Sequence, residues 1–461
     1  MKKEKFSSTW GFILTAAGSA VGLGNIWRFP YLCGQYGGMS FILLYLLILL
    51  LICNPLMVAE IAIGRTSKSN CVDAYEVIGT QVGLKHLKIW SFFGGWIAVI
   101  GVVLCLSFYF LVASWVLYYF FEAVSGHLIS IPHSNLTSEF ENLTKSFSIQ
   151  ISCGLIFLLT TTLIVVAGVK KGIERTGLYL MPLLFVIFIL LCLRSITLDG
   201  AQGGIKFLFT VDPQYLGFTS DGFKLRPLLE TFTAALGQAF ISLSLGFGTL
   251  LVYGSYFSPK ENLFSAVRHI EFFDTFAAIL SAVIIIPAIF SAGLSTSSGP
   301  GLTFISLPHV FQNLTGGYFW ALTFYMLLIL ATITSTISIF EVLVNLLIDK
   351  LNISRFRASV FVMLITGSAF TVVTTSFSGV LDIKLFGKDL FTFADWLVST
   401  YTATIVSLTM ALFVGYTTMK VIIRNIYRSA RVSDAFVRYF LITLRYIAPA
   451  GLSILLINSF L

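Results

Sequence analysis

The chain has 461 residues, of which 57% are hydrophobic and 11% are charged, and its mean hydropathy is +0.92. A soluble domain ordinarily has about 45–50% apolar and about 25% charged residues, so this composition excludes a water-soluble fold. The net charge of +8 does not indicate a nucleic-acid partner. Basic residues in a membrane protein collect in its cytoplasmic loops, and the lipid bilayer is the expected partner.

Eleven apolar segments follow one another along the sequence. A helix that crosses the bilayer needs about 20 mostly apolar residues, so the pattern predicts an all-α polytopic membrane protein with 11 transmembrane helices. Most of the 29 Lys and Arg residues fall on one side, which predicts an inner N-terminus and an outer C-terminus. The segments are 10–31, 38–63, 90–124, 149–169, 176–195, 228–256, 263–293, 319–348, 356–376, 391–419 and 435–460.

Glycines interrupt the first and the sixth segment. In either segment alone they could serve helix packing, because small residues are common where membrane helices touch. Interrupted helices at matching places of two five-helix runs instead indicate a transporter with inverted repeats. We expect a 5+5 inverted repeat with unwound helices 1 and 6. Helices 1–5 (about 10–195, within 1–256) form one half, helices 6–10 (228–419) the other, and helix 11 (435–461) follows. The interrupting glycines are Gly18, Gly22, Gly24, Gly237, Gly246 and Gly248.

Polar groups inside the apolar segments indicate where the chemistry lies. A broken helix leaves backbone groups that lipid cannot satisfy; its carbonyls suit a cation and its N–H groups suit a carboxylate. Ionisable residues within a span are functional candidates by default. These are Arg28, Glu60, Asp274, Glu341 and Asp395. Segment eight adds hydroxyls, which in membrane helices commonly bond their own backbone: Thr332, Thr334, Ser335, Thr336 and Ser338.

Five stretches carry a specific resemblance to a known family. They are 18–30 (GSAVGLGNIWRFP), 55–65 (PLMVAEIAIGR), 237–248 (GQAFISLSLGFG), 331–335 (ATITS) and 394–396 (ADW). The chain resembles the neurotransmitter:sodium symporter family, in its bacterial amino-acid transporter branch. The resemblance implies sodium-coupled uptake of a neutral, hydrophobic L-amino acid by alternating access. It also implies a bacterial cytoplasmic (inner) membrane protein, monomeric or weakly homodimeric.

The resemblance implies two sodium sites, position by position. The first sodium ion would be held by the Ala20 carbonyl, the Asn25 amide, the Ser242 hydroxyl and Asp274. The leucine transporter of the family has Asn where this chain has Asp274. The second ion would be held by the carbonyls of Gly18, Val21 and Ala331 and the hydroxyls of Thr334 and Ser335. Oxygen ligands of this kind are the ones that hard cations prefer.

The substrate site follows from the same resemblance. The substrate carboxylate would meet the N–H groups of Leu23 and Gly24 and the Tyr109 hydroxyl. The amine would meet the carbonyls of Ala20, Ile241 and Ser244. The implied substrate-binding residues are Ser19, Ala20, Gly22, Leu23, Gly24, Cys105, Tyr109, Ile241, Ser242, Ser244, Phe247, Ser335 and Ile339. An uncharged pocket of this kind favours an aliphatic or aromatic side chain, because burying an unpaired charge is costly.

Two positions differ from other branches of the family. Relatives that carry monoamines place Asp where Gly22 stands, so Gly22 indicates a substrate that brings its own carboxylate. Relatives that depend on chloride hold the anion near the position of Ala278, which offers no hydroxyl here. Asp274 lies one helical turn earlier and supplies a fixed negative charge. We therefore hypothesise that chloride is not required.

Gate residues are also implied by the resemblance. Arg28 and Asp395 match an outer ion pair, with Tyr109 and Phe247 as an aromatic lid over the substrate. An inner latch would join Lys3 to Asp349, although the family usually has Arg at the first position, and Lys lacks its bidentate geometry.

Two buried acids and two alternative functions complete the predictions. Glu60 and Glu341 are expected to hydrogen-bond the broken backbones; the alternative is that either acid is simply protonated. A proton-coupled transporter of similar fold would need a titratable group at the second sodium site, where this chain has Thr334 and Ser335. A membrane enzyme would need clustered His or carboxylate residues, and the five histidines and six cysteines have no paired spacing.

Overall fold

The computed structural model describes residues 4–294, 301–427 and 433–458. Regular structure in these ranges is almost entirely helical, and a π-helical turn is counted with the helix that it continues. The helices are α1 (Thr9–Ala20), α2 (24–35), α3 (Met39–Ser67), α4 (Asp73–Gln81), α5 (Leu87–Val124), α6 (His127–Ser130), α7 (Leu136–Lys145), α8 (Phe147–Val166), α9 (Val169–Ile196), α10 (Ala201–Phe209), α11 (Leu225–Ser242), α12 (Thr249–Tyr256), α13 (Leu263–Ser291), α14 (302–312), α15 (Gly317–Leu351), α16 (Arg355–Phe377), α17 (Leu390–Tyr427) and α18 (Asp434–Asn458). Two antiparallel hairpins pair β1 (Phe218–Thr219) with β2 (Gly222–Phe223) and β3 (Lys384–Leu385) with β4 (Lys388–Asp389).

Nine helices in the described ranges are long and apolar enough to cross a membrane. They are α3, α5, α8, α9, α13, α15, α16, α17 and α18. The interrupted pairs α1/α2 and α11/α12 occupy the first and the sixth predicted segments. The prediction of a polytopic helical membrane protein is therefore confirmed, whereas the number of spans and the inverted repeat stay predictions.

The first break lies between α1 and α2. The Ser8 hydroxyl caps α1 by accepting a hydrogen bond from the Gly11 N–H at 2.9 Å. The helix ends at Ala20, because Val21 has an extended backbone with φ −75° and ψ 92°. The chain becomes helical again at Gly24, in a π-helical turn.

The second break lies between α11 and α12. Ser244, Gly246 and Gly248 have φ values of 53°, 78° and 72°, in the left-handed region that a right-handed helix cannot include. Glycine is required at 246 for a second reason, since a Cβ there would lie 2.3 Å from the Ala403 carbonyl oxygen. The break is therefore fixed both by its own backbone and by contact with α17.

Some helices differ from the predicted segments. Helix α9 begins at Val169 rather than near residue 176, because its first turns contain Lys170, Lys171 and Glu174, which end an apolar run. Helix α14 lies in a stretch that carries no predicted segment. Helix α9 starts early because a helix can continue through polar residues when tertiary contacts support it, whereas α14 is too short an apolar run to be predicted as a span.

Close backbone contact joins α3 to α12. A Cβ on Gly64 would lie 1.8 Å from the Leu251 carbonyl oxygen, and one on Gly254 would lie 2.4 Å from the Ile61 carbonyl oxygen. Small residues allow membrane helices to approach in this way. The contact holds the second break beside the face of α3 that carries Glu60.

Candidate functional site

One cavity of about 290 Å³ lies where the two breaks face α5 and α15. Twelve of the thirteen residues predicted to bind substrate line it. The exception is Ser242, which is buried but does not line the cavity. The twelve are Ser19, Ala20, Gly22, Leu23, Gly24, Cys105, Tyr109, Ile241, Ser244, Phe247, Ser335 and Ile339. Residues that are far apart in the sequence are thus brought to one space between the helices.

Hydrogen bonds at the first break organise its backbone toward the cavity. The Leu23 N–H donates to the Tyr109 hydroxyl at 3.3 Å, and the Gly22 N–H donates to Asn25 Oδ1 at 3.1 Å. A Cβ on Gly22 would lie 2.4 Å from Ser335 Oγ and 3.1 Å from the Tyr109 hydroxyl oxygen. Glycine therefore lets α15 and α5 approach the break, and a larger side chain there would fill the centre of the cavity.

The two breaks are tied to each other and to α15 through the Ser19 carbonyl. It accepts hydrogen bonds from the Ser244 hydroxyl at 3.1 Å and from the Ser335 hydroxyl at 3.4 Å. The predicted support from Glu60 is also present, because the Gly246 N–H donates to Glu60 Oε2 at 3.3 Å. Glu60 is buried, so this carboxyl group satisfies a backbone donor that lipid could not.

The residues predicted for the first sodium ion form a buried cluster. Asn25 Nδ2 donates to Asp274 Oδ1 at 2.8 Å and to Ser242 Oγ at 2.9 Å, and the Ser242 hydroxyl donates to Asp274 Oδ1 at 2.7 Å. The Tyr45 hydroxyl donates to Asp274 Oδ2 at 3.2 Å. Ala20 is buried next to the first break. A carboxylate and a hydroxyl thus converge on the Asn25 amide, and oxygen atoms of this kind are the ligands that a hard cation prefers.

The residues predicted for the second sodium ion lie where α1 meets α15. A Cβ on Gly18 would lie 3.2 Å from Thr334 Cβ, so these helices touch. The Thr334 hydroxyl donates to the Leu330 and Ala331 carbonyls at 3.1 and 3.0 Å, as threonine does in many membrane helices. All five predicted ligands are buried: Gly18, Val21, Ala331, Thr334 and Ser335.

The residues of the predicted outer gate belong to the wall of the cavity. Arg28 and Asp395 both line it, as do Tyr109 and Phe247. Arg28 and Asp395 are both among the described residues, and no ion pair within 4.0 Å joins them. The cavity therefore is not closed by a salt bridge between these two residues.

The predicted inner latch is only partly described. Lys3 lies outside the described residues, and Asp349 accepts a hydrogen bond from the Asn70 N–H at 3.1 Å. Glu341 does not support a broken backbone as predicted. It forms a bidentate ion pair with Arg355, at 2.8 and 2.9 Å, and accepts from the Tyr256 hydroxyl at 2.6 Å. A fully buried carboxylate is stabilised far better by a guanidinium than by neutral donors, which is the physical reason for the difference.

Several residues of the site were missed by sequence reasoning. Trp27, Phe108, Val112 and Phe391 also line the cavity. Helical spacing could have found three of them, because Phe108 lies one turn beyond Cys105, Val112 one turn beyond Tyr109, and Phe391 one turn before Asp395.

Glu271, a second carboxylate of α13, was also missed, although it is not among the residues that line the cavity. It lies on α13, one turn before Asp274, and its carboxylate accepts from Asn54 Nδ2 at 2.7 Å. Its position within an apolar segment was the available signal, since ionisable residues in a span are functional candidates by default.

A helical membrane bundle with two broken helices around a cavity that has polar and apolar walls has the architecture of a secondary transporter. A family model, the Sodium:neurotransmitter symporter family, matches residues 3–142 and 134–461. YhdH, an uncharacterized sodium-dependent transporter of Bacillus subtilis, is 33% identical over 458 residues, covering 99% of this chain and 98% of YhdH. An uncharacterized sodium-dependent transporter of Haemophilus influenzae is 33% identical over 423 residues, covering 90% of this chain and 89% of that protein.

A solved structure gives the same result. The crystal structure of MhsT in complex with L-phenylalanine is similar with a TM-score of 0.88 and 34% sequence identity, covering 99% of this chain and 100% of that one. The chain belongs to the sodium:neurotransmitter symporter family. It is a sodium-dependent transporter and not an enzyme, which confirms the predicted family and class.

Proposed function

We propose that this transporter takes up a neutral, hydrophobic L-amino acid together with sodium by alternating access. The observation that carries the proposal is the cavity, in which backbone groups of a broken helix lie beside apolar walls. The N–H groups of Leu23 and Gly24 suit a substrate carboxylate, and the Tyr109 hydroxyl already contacts one of them. The complex of the similar protein MhsT with L-phenylalanine supports an amino acid as the substrate.

The walls support a hydrophobic side chain. Cys105, Ile241, Phe247 and Ile339 line the cavity, together with the missed Val112 and Phe108. The two charged residues that line it, Arg28 and Asp395, form the proposed outer gate, which would close over a bound substrate. A charged substrate side chain would meet apolar atoms and lose its hydration without a partner.

Two sodium ions are proposed to accompany each substrate. One would occupy the cluster of Ala20, Asn25, Ser242 and Asp274, and the other the contact between α1 and α15. Each ion that enters down the membrane potential contributes about 2.3 kcal/mol per 100 mV, so two ions would drive steep accumulation. Because Asp274 brings a fixed negative charge to this depth, we propose that no chloride ion is needed to balance the sodium.

The proposed cycle alternates between two openings of the same cavity. Helices α1/α2, α3, α11/α12 and α13 would rock against the remaining helices, as expected for the 5+5 inverted repeat. The ion pair of Glu341 with Arg355, which also binds Glu4, lies on the proposed inner side and would hold that side shut. We place the protein in a bacterial cytoplasmic membrane, with the N-terminus inside and the C-terminus outside, as a monomer or weak homodimer.

The test is uptake of radiolabelled L-leucine and L-phenylalanine into proteoliposomes that contain the full chain. Replacement of sodium by choline should abolish uptake, and replacement of chloride by gluconate should leave it unchanged. In a competition panel of twenty amino acids, neutral hydrophobic ones should compete, and Asp and Lys should not. Uptake in choline driven by a proton gradient would contradict sodium coupling, and a severalfold loss in gluconate would contradict chloride independence.

A further inference from the structure

The outer end of α5 carries a side-chain cluster that the transport cavity does not use. Glu122 on α5, His127 on α6 and Glu139 on α7 place one ligand atom each within 4.8 Å of one another. We infer that these three residues bind a divalent transition-metal ion, with zinc as the best fit. The inference is independent of the proposed substrate and of the sodium sites.

The chain reverses sharply between the first two ligands. Helix α5 closes with a hydrogen bond from the Ser125 N–H to the Phe121 carbonyl at 2.9 Å, and Gly126 then has φ 78°. This left-handed residue turns the chain back, so His127 Nδ1 is hydrogen-bonded to Glu122 Oε2. The Tyr318 hydroxyl donates to the Val124 carbonyl at 3.0 Å and anchors the turn to α15.

The third ligand is held in place by its own contacts. The Tyr118 hydroxyl, one turn before Glu122 on α5, donates to Glu139 Oε1 at 2.5 Å. The neighbouring Phe140 packs edge-on against Trp115, with ring centroids 5.6 Å apart. Helix α7 is therefore docked on α5. Hydrogen bonds of this kind orient a ligating carboxylate and raise metal affinity in known sites.

One nitrogen and two carboxylate oxygens form a ligand set that zinc accepts. Zinc binds such atoms at about 2.0–2.2 Å, so ligand atoms of one ion lie about 3–4 Å apart, and small side-chain shifts would bring the three ligand atoms to that spacing. Two carboxylates this close repel each other, which a cation between them would relieve. His127 is 54% exposed and Glu122 is 19% exposed, so an ion can reach the site from water.

The alternative is an ordinary ion pair between Glu122 and His127 beside a separate hydrogen bond from Tyr118 to Glu139. This arrangement requires no metal, and it would leave zinc binding unaffected by changes at Glu139. The two arrangements therefore differ in whether Glu139 and His127 bind the same zinc ion.

The experiment measures zinc binding to the full, detergent-purified chain after removal of bound metal with a chelator. Equilibrium dialysis with radioactive zinc should give about one zinc ion per chain at micromolar free zinc. His127→Ala and Glu139→Gln should each raise the Kd by roughly tenfold or more. Exposed residues of the same types serve as matched controls: His86→Ala, and Glu141→Gln on the same helix α7, should bind as the wild type does.

A second measurement covers any variant that folds poorly. Zinc should raise the thermal midpoint of the wild type and of both controls, because a ligand that binds the native state stabilises it. The same zinc should not raise the midpoint of His127→Ala, Glu139→Gln or the milder Glu122→Gln. Absence of saturable zinc binding to the wild type would overturn the inference, and so would equal affinity in His127→Ala or Glu139→Gln.

Discussion

Replacing Asp274 by Asn removes the charge of the proposed first sodium site and keeps the shape of the side chain. The buried Asp274 carboxylate lies 2.8 Å from Asn25 Nδ2, 2.7 Å from Ser242 Oγ and 3.2 Å from the Tyr45 hydroxyl. An Asn amide can keep part of this network. The substitution therefore tests the charge rather than the packing.

The expected magnitude follows from the difference between charged and neutral partners. A contact with a charged group contributes about 1.5–3 kcal/mol, against about 0.5–1.5 kcal/mol for a neutral one, so the variant loses about 1–2 kcal/mol of sodium binding. Because 1.4 kcal/mol corresponds to a factor of ten, the sodium concentration for half-maximal uptake should rise roughly 5- to 30-fold. The assay is initial-rate uptake of labelled amino acid at increasing sodium.

Glu271→Gln is the matched control, because Glu271 is a carboxylate one turn earlier on the same helix and pairs with Asn54 rather than with the cluster. Its sodium dependence should equal that of the wild type. The reasoning would be refuted if Asp274→Asn kept the wild-type sodium dependence. It would be refuted equally if Glu271→Gln shifted that dependence as far as Asp274→Asn does.

Three further predictions test the cavity and the ion pair of Glu341 with Arg355. Gly22→Ala places a Cβ 2.4 Å from Ser335 Oγ. Overpacking of this kind costs about 1–3 kcal/mol, so substrate affinity should fall about 5- to 150-fold. Wild-type binding would contradict the close approach of Gly22 to Ser335. Cys105 lines the cavity, so a charged thiol reagent should inhibit uptake, and bound substrate should protect the transporter from this inhibition. The Cys105→Ala variant should resist the reagent. Equal inhibition of the wild type and the variant would assign the reaction to another thiol. Glu341→Gln removes one partner of a buried ion pair, which lowers the free energy of unfolding by about 3–5 kcal/mol, so the thermal midpoint should fall. An unchanged midpoint would show that Arg355 does not need this partner.

Much of the fold and the cavity could be predicted from the sequence because the signal is local. Gly22 and Gly246 interrupt long apolar segments, and a break in a membrane helix has few physical explanations besides a binding site. The hydroxyl of Ser335 lies among others of segment eight, yet it reaches across to the Ser19 carbonyl at 3.4 Å, whereas Thr334 bonds its own helix. Sequence order identified the run of hydroxyls, but only the packing of α15 on α1 selects the one that faces the cavity.

Other features depend on partners that no local pattern reveals. The guanidinium that neutralises Glu341 comes from Arg355, on the next helix, so the acid alone could not indicate its own role. Glu122, His127 and Glu139 have no motif spacing, and they meet only because Gly126 reverses the chain and α7 docks on α5. The five histidines therefore look scattered in the sequence, and one of them nevertheless belongs to a cluster.

The amide of Asn25 joins two parts of the proposed site. Its Nδ2 hydrogens bond Ser242 and Asp274, and its Oδ1 accepts from the Gly22 N–H. One side chain therefore contacts both the break that lines the cavity and the carboxylate of the proposed first sodium site. Under the proposed function, substrate and sodium would each act on the surroundings of this amide, and two binding free energies that are coupled in this way change each other by the same amount.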